Sequence, residues 1–448
     1  MGRLKTPAAA SVSVPRYTSY PTAPHFTAKV DAQVQADWIA AVPVDASVSL
    51  YLHVPFCVHM CHYCGCNTKA TRKREPIDRY LDLLLREIML VANAAGSRRV
   101  THLHWGGGTP STLGPEGLAR VYDELAGKFD LSELRDHAME LDPRYVNGPL
   151  VAGLAAIGVN RVSLGVQDFT PRVQRAIGRV QPFDVVEQAV RLLRAVGIGR
   201  MNMDLMYGLP TQTTQDVVHS ATLAASLKPQ RIALFGYAHV PWFKKHQRLI
   251  DDKTLPDVDQ RIEQARRAAT VLRELTYRPI GIDHFAEPGD ELALAAEQGR
   301  LRRNFQGYTA DDADVMFALG SSAISRFSQG YVQNAPDLAG YQRRISEGQL
   351  AGIRGIALSD EDRMRAAIIE KIMCDFTVDL GPFADAAGSD TRFAAEIETL
   401  RPLVHAEMVE VRGERVEITE AGRPFARLVA AAFDSYLPGG GARHSIAV

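Results

Sequence analysis

From residue 48 to residue 282 the chain alternates short apolar runs with longer amphipathic stretches, and this rhythm restricts its fold more than any other feature. The runs Ser49 to Val54, Val100 to Trp105, Ala138 to Leu141, Arg161 to Val166, Met201 to Met206, Arg231 to Tyr237 and Pro279 to Ile282 read as strands. Between Asp78 and Ala92, Tyr80, Leu81, Leu84, Leu85, Ile88 and Val91 recur at helical spacing, with Pro76 near the start. Further helices are expected at Pro115 to Phe129, Pro149 to Ile157, Asp184 to Val196, Thr214 to Leu227 and Asp257 to Thr276. Gly197 stops the third of these, as a glycine just past a helix does. Strands joined through helices run parallel and are covered on both faces, which explains their nearly continuous apolar character. The expected fold class is α/β.

Around residues 345–360 the rhythm changes. Helical patterns at Glu361–Cys374 and Thr391–Leu403 lead into Val409–Thr419, which alternates apolar and polar residues around Gly413 like a hairpin. A last helix is expected from Ala421 to Tyr436, before Leu437-Pro-Gly-Gly-Gly. This order predicts a mostly helical, winged-helix-like C-terminal domain over 351–448. It carries no clear basic recognition stripe, so a lid or docking module is favoured over DNA binding. Residues 1–45 form a lead-in punctuated by proline. Its stretch Pro15–Thr22 is expected to be extended, either packed on the surface or closing over an active site.

Hydrophobic residues make up 46% of the chain and the net charge is −1, which fits a soluble protein with no overall attraction to nucleic acid or membrane. The first residues lack the apolar core of a secretory signal, and no run approaches the roughly 18–20 residues of a membrane span. The expected location is cytoplasmic.

Four of the five cysteines lie within residues 57–66, after the first strand, where Pro55 precedes Cys57, Cys61, Cys64 and Cys66. That crowding is not a disulfide framework and suits a reducing compartment. Thiolates are soft ligands for zinc or iron–sulfur centres. Four could close a zinc tetrahedron, whereas three on a four-iron cluster leave one iron open to bind a ligand. His59 and His62 lie in the same loop and can substitute as ligands. Cys374, far away, is expected to be a buried core thiol. Gly106-Gly107-Gly108 follows the second strand, where glycines let backbone approach a ligand or simply make a tight turn. Glu140, Gln167, Asp168, Asp204 and Asp283 fall at or beyond strand ends. Carboxylates there either serve a ligand or close the barrel end in salt bridges. Arg179 can grip a carboxylate or lie on the surface. No nucleophile elbow, phosphate-binding loop or dinucleotide fingerprint occurs.

The C-x3-C-x2-C spacing resembles the signature of the radical S-adenosylmethionine (SAM) enzymes. Within that superfamily the chain resembles the oxygen-independent coproporphyrinogen III oxidases, also called dehydrogenases. The stretches Pro15–Thr22, Tyr51–Asn67, His104–Pro110, Glu140–Arg144, Gly165–Phe169, Asp204–Pro210, Tyr237–Pro241, Asp283–Phe285, Arg303–Thr309 and Gly320–Ser325 carry the resemblance, with Cys66 extending the signature to C-x3-C-x2-C-x-C. The resemblance implies an incomplete (β/α)6 TIM-like barrel over 46–350, an N-terminal arm (1–45) over the site and a helical domain over 351–448. It implies a 4Fe–4S cluster on Cys57, Cys61 and Cys64, with Cys66 not a ligand, and two SAM molecules. Tyr51, Gly107, Glu140 and Ile324 match positions around the first SAM, with Tyr51 and Glu140 at the catalytic centre. Tyr63, Gly108, Thr109, Gln167, Arg179, Asp204 and Ala238 match positions around the second. The family has an aromatic residue, usually Phe, at Tyr63, and Thr109 stands where the wider superfamily has an acid. The implied reaction turns two propionates of coproporphyrinogen III into vinyl groups, with electrons from a flavodoxin or ferredoxin. The protein is expected to act as a monomer without nucleic acid or membrane. The alternative is a paralogue that binds haem without decarboxylation. For the substrate's carboxylates, Arg16, Arg303 and Asn304 are the candidates.

Overall fold

The computed structural model describes residues 14–387 and 391–437. The first thirteen residues and the Pro438-Gly-Gly-Gly stop expected after the last helix lie outside the described residues. The lead-in is not extended throughout, since Asp31 caps a helix at Ala32–Ala40, and six βα units follow it. Their strands are β1 (Val48–Val54), β2 (Val100–Gly107), β3 (Asp136–Leu141), β4 (Arg161–Gln167), β5 (Arg200–Tyr207) and β6 (Arg231–Gly236). The main helices between and after them are Arg74–Ala95, Gly114–Lys128, Gly148–Ala156, Phe183–Ala195, Thr214–Ser226 and Val258–Glu274. All six strands are parallel and neighbours in chain order. The expected helices and strands of this half therefore form within a few residues of their anticipated ends.

The sheet then departs from the expected pattern. After β6 come β7 (Arg278–Ile280) and β8 (His284–Ala286), and β8 pairs antiparallel with both β6 and β7. The Pro279 run is thus an antiparallel edge strand, where the missing proline N–H costs no ladder bond. On the other side β9 (Val315–Leu319) joins β1 in parallel, followed by β10 (Ile324–Arg326), β11 (Gly330–Asn334) and β12 (Gly352–Ala357) in antiparallel order. The twelve strands form one linear order, β12-β11-β10-β9-β1-β2-β3-β4-β5-β6-β8-β7. The sheet is open at both edges, with seven parallel strands at its centre.

Period-two alternation sorts the side chains of each strand. Val48, Leu50, Leu52 and Val54 are buried in the main core beside Leu81, Leu84, Ile88 and Val91 of the first long helix. Each such side chain removed from water contributes about 1.5–3 kcal/mol. Ser49, Tyr51 and His53 occupy the opposite, inner face. At the N-terminal ends of the strands that face is closed by ions: Arg161 holds Asp136 at 2.5 Å, and Arg231 Nε holds Asp290 Oδ1 at 2.8 Å. The C-terminal ends carry no such plug among the ion pairs just named, and the chemistry-bearing residues gather there.

A second core joins the C-terminal helices to the arm. Val14, Tyr17 and Tyr20 pack with Ile368, Ile372, Val416, Phe425 and Phe433. Tyr17 donates to Asp434 Oδ2 (3.0 Å), and the Tyr20 hydroxyl lies 2.9 Å from Ser435 Oγ. The arm is bent rather than a strand, since Tyr17 takes φ 47. Two expected helices are shorter than their patterns. Thr391–Leu403 divides into Ala394–Thr399 and Arg401–His405, because Pro402 starts a new first turn rather than continuing the old helix. The last α-helix is Ala426–Ala432, entered through a 3-10 turn at Arg423–Phe425 and ending before Asp434, which is held by Tyr17. Thr377–Asp379 adds a third strand to the hairpin Val409–Arg412/Arg415–Ile418.

Candidate active site

After β1, Phe56–Cys57 pairs with Lys69–Ala70, which pinches the base of the cysteine loop. Cys57 Sγ lies 3.3 Å from Thr68 Oγ1 and receives the Thr109 hydroxyl at 3.4 Å. Cys61 Sγ accepts from Arg179 Nη1 at 3.5 Å and Arg144 Nη2 at 3.9 Å. Asp142 holds both guanidiniums, at 2.7 Å from Arg144 and 3.1 Å from Arg179. Arg179 also donates to Gly165 O at 2.6 Å and is buried, so the surface alternative for it is excluded. Burial pushes the Cys57 thiol up, while a hydrogen bond from Cys66 draws Cys64 down to about 6. The histidines of the loop face elsewhere. His62 Nδ1 donates to Ala176 O (3.2 Å), and His59 is held between Tyr145 and Arg72.

This donor set distinguishes a cluster from a single ion. Zinc at about 2.3 Å from each sulfur needs sulfurs about 3.8 Å apart. Among the described residues, the group of three candidate ligands whose atoms all lie within 4.8 Å is His102, Asp311 and Asp312, not the cysteines. No three of the four thiols lie within 4.8 Å of one another, so they form no ready single-ion group. Arg179 Nε is buried without a protein partner, and two guanidiniums already aim N–H groups at Cys61. Such donors stabilise anionic sulfur. The residues therefore fit an iron–sulfur cluster.

Beside the loop, the inner face of the strands presents a second group. Glu140 Oε2 accepts from Gly107 N at 3.2 Å, and its Oε1 lies 3.3 Å from His104 Nε2. The Tyr51 ring stacks on His104, with centroids 5.9 Å apart. His53 Nε2 faces the Asn67 carbonyl at 3.0 Å, which can only accept, so Nε2 carries the proton. His53 Nδ1 then accepts from the Tyr51 hydroxyl at 3.1 Å. Burial keeps His53 below its ordinary range, consistent with a neutral ring. Asp204 accepts from Ser163 Oγ (2.9 Å) and Asn202 Nδ2 (2.7 Å), and burial raises it to about 6. Met316 pairs with Arg326 in antiparallel register, which sets Ile324 opposite Ala318; Ala318 is in turn opposite Tyr51. Tyr51, Gly107, Glu140 and Ile324 thus share one region of the inner face.

The residues expected around the second SAM gather on the neighbouring side. The Tyr63 phenol lies in the field of Arg179 and Cys61 and is pushed up by burial. Gln167 takes φ 70 at a register shift in β4, and a Cβ on Gly165 would meet both Gln167 Nε2 (3.0 Å) and Arg179 Nη2 (3.2 Å). Thr109 is on Cys57, and the Ala238 carbonyl shares Gln247 Nε2 with the Tyr63 carbonyl. Asp168 stands apart, tied to Gln212 at 2.8 Å.

The glycine triplet has a different reason from ligand access. A Cβ at Gly107 would come within 2.5 Å of His53, and one at Gly108 within 2.5 Å of Thr68 Oγ1 and 2.6 Å of Phe56 O. Protein groups fill the space, so these glycines seat the loop on the cysteine segment. Asp142, Arg144, His53 and His104 are functional neighbours that sequence reasoning assigned no role. For His53 the signal was present, since it shares the alternation of Tyr51, whereas His104 comes opposite Tyr51 only through the strand register.

A third group stands where the arm meets the barrel. Asp283 pairs with His284 Nδ1 at 2.7 Å and with Arg303 Nη1 at 3.9 Å. Arg303 also donates to Arg16 O (3.4 Å), and Arg16 donates to Gly236 O at the end of β6 (3.3 Å). Burial lowers Arg16, Arg261 and Arg427, the last to about 10, and neighbouring arginines add to the effect on each of Arg16 and Arg427. Cys374 is the buried core thiol expected, and burial raises its pKa.

Comparison with known proteins follows the same lines. The Radical SAM superfamily model matches residues 51–224 and the HemN C-terminal domain model matches 358–425. The oxygen-independent coproporphyrinogen III oxidase of Bradyrhizobium diazoefficiens is 45% identical over 437 residues, covering 97% of each chain. The chain belongs to this family. As a member it is an enzyme, a radical SAM oxidoreductase, and it is also 38% identical over 428 residues to the Escherichia coli protein of that name, covering 95% of this chain and 93% of the relative. The solved structure described as coproporphyrinogen III oxidase (HemN) from Escherichia coli superposes with a TM-score of 0.89 at 36% identity, over 94% of this chain and 97% of that one. Among the described residues no helix is long and apolar enough to cross a membrane.

Proposed function

We propose that this enzyme converts two propionate side chains of coproporphyrinogen III to vinyl groups without oxygen, giving protoporphyrinogen IX. The observation that carries the reading is the three-thiol loop, supported by Arg144 and Arg179, seated beside the strand ends that present Tyr51, Glu140 and Asp204. Cys57, Cys61 and Cys64 hold a 4Fe–4S cluster, and two SAM molecules bind, the first near Tyr51, Gly107, Glu140 and Ile324. The second lies near Tyr63, Gly108, Thr109, Gln167, Arg179, Asp204 and Ala238. When bound, cluster and SAM supply a primary carbon radical that takes one hydrogen atom from a substrate.

The chain's own residues do the rest. Glu140, fixed by Gly107 N, offers a carboxylate for an ammonium group. Tyr51 is aimed by His53, and its ring with His104 forms a wall against water. Each propionate gives up a β-hydrogen atom, then carbon dioxide, and passes one electron to an external acceptor to become a vinyl group. The tetracarboxylate substrate needs cations held in place, and Arg16 and Arg303, crossing at the mouth of the barrel, meet that need. Asn304 and Arg303 also line a cleft of about 360 Å³ between the arm, β10–β11 and the helix Asp360–Asp375. The arm (1–45) thereby acts as a closure over the barrel (46–350), latched by the C-terminal domain (351–448), and the enzyme works as a monomer fed by a flavodoxin or ferredoxin.

Anaerobically reconstituted enzyme, reduced and given SAM and coproporphyrinogen III, should release 5′-deoxyadenosine, carbon dioxide and protoporphyrinogen IX. A brown, cluster-bearing preparation that cleaves SAM but leaves every propionate intact would refute the assignment.

A further inference from the structure

Building on the cluster reading above, we infer that the loop 241–249, together with the basic segment that follows the cysteines, is the docking surface for a small acidic one-electron carrier protein. The chain balances 51 Lys and Arg against 52 Asp and Glu, yet two segments beside the thiols are basic without any acid. Residues 57–74 carry Lys69, Arg72, Lys73 and Arg74 and no acidic residue. Residues 236–250 carry Lys244, Lys245 and Arg248 and likewise none. Arg74 is spent on Asp78 and Arg72 reaches His59, but Lys69, Lys73, Lys245 and Arg248 are exposed. The nearest acids along the chain are Glu75, which pairs with Arg79, and Asp251 and Asp252, of which Asp252 is paired with His239 at 2.8 Å.

The two segments meet at the cysteine loop through hydrogen bonds. Lys244 Nζ donates to Cys66 O at 2.8 Å, His246 Nε2 to Cys64 O at 2.7 Å, and buried Gln247 to Tyr63 O at 2.9 Å. Gln247 Oε1 also accepts from Val240 N at 2.6 Å, so the loop is stapled to the thiol segment rather than hanging free. On this fixed base stand Trp242, Phe243 and Leu249, exposed by 50%, 73% and 67%. Large apolar side chains left in water on an ordered loop mark a contact surface. An apolar centre with a basic rim fits an acidic partner, and Cys66, itself exposed, puts that contact beside the cluster's ligands. The step needs no bond changes: the carrier gives up one electron and the cluster accepts it. Such encounters are small and brief, with interfaces below about 1,200 Å².

The test uses the reconstituted holoenzyme and a purified acidic flavodoxin as probe. Calorimetric titration should show binding at low salt that weakens as salt screens the charges. The double substitution Lys245→Glu with Arg248→Glu should raise the dissociation constant at least about tenfold, with the carrier-driven rate falling in step. Trp242→Ser with Phe243→Ser should weaken binding without changing its salt dependence. With dithionite as reductant all variants should cleave SAM like the parent enzyme, which separates this surface from the site itself. An unchanged dissociation constant in both double variants would overturn the inference, as would parent enzyme that binds phosphatidylglycerol vesicles but no flavodoxin. If the parent enzyme fails with dithionite, the cluster reading fails first, and the surface assignment with it.

Discussion

Replacing Asp204 by asparagine should make the metal-free chain more stable and the enzyme worse. Burial raises this carboxyl from 3.8 to about 6, against the opposing hydrogen bond from Ser163 and with Glu140 adding to the rise. The gap between those values corresponds to about 3 kcal/mol. Asp204 keeps partial exposure toward the interior, and solvent screening reduces the usable figure to about 1–2 kcal/mol. The sign follows from which state loses its proton first. In the unfolded chain Asp204 ionises near 3.8, in the folded chain near 6. The stability it contributes is therefore complete below the lower value and is lost as pH rises through the higher one. Asparagine stays neutral and keeps the shape, and its amide donates where the Ser163 hydroxyl now donates, while Asn202 Nδ2 retains an acceptor. Urea titrations from about pH 4 to about pH 8 should show the parent and Asp204→Asn coinciding at the acid end. The variant should gain about 1–2 kcal/mol by neutral pH. If a ribose hydroxyl uses this carboxylate, SAM affinity should fall about tenfold or more over the same substitution. A stability difference that does not change with pH, or a variant less stable at neutral pH, would refute the reasoning.

Substituting Cys57, Cys61 or Cys64 singly by serine should abolish the brown charge-transfer absorption of the reconstituted protein, whereas Cys66→Ser should keep it; anaerobic spectra and iron analysis decide. Gly108→Ala drives a methyl to within 2.6 Å of the Phe56 carbonyl and should cost about 2 kcal/mol or more in thermal unfolding. The control Gly127→Ala, in a helix with open space around it, should be neutral or stabilising. Arg179→Gln removes a buried guanidinium shared by Cys61, Asp142 and Gly165 O and should cost about 2–3 kcal/mol. It should also lower the cluster's reduction potential, read by redox titration, because an N–H donor to anionic sulfur is lost.

The strands β1 to β6 were legible because each is a mostly apolar run, and the parallel arrangement follows from the helices between them. The reversal at β7 and β8 was not, since three-residue strands carry no period and pairing direction is not written in composition. The C-terminal helices were overextended for a related reason: an apolar pattern continues past Leu400 and Ala432, but Pro402 and the Tyr17–Asp434 bond break the backbone's path. In the site, ligand candidates that share one stretch could be found by spacing. Asp142 and Arg144 could not, and Arg179 stood out only as a residue able to grip a carboxylate, because their meeting at Cys61 joins three separate segments. The glycine triplet was visible but its reason was not, as only the fold shows His53 and Thr68 filling the room above it.

These pieces explain why the thiol loop sits where it does. A parallel barrel has two unlike ends, and here the N-terminal ends are sealed by Asp136, Arg161, Arg231 and Asp290. A reactive centre is then confined to the C-terminal mouth, where loops rather than strands set the walls. The cysteine loop lies across that boundary. On one side Thr109, held on Cys57, leads directly into the strand end where Gly107 N fixes Glu140, so substrate chemistry is kept under cover. On the other side its carbonyls at Cys64 and Cys66 are held by His246 and Lys244 of an exposed loop. A loop pinned at its base within the first βα unit therefore joins a covered inner face to an exposed outer one.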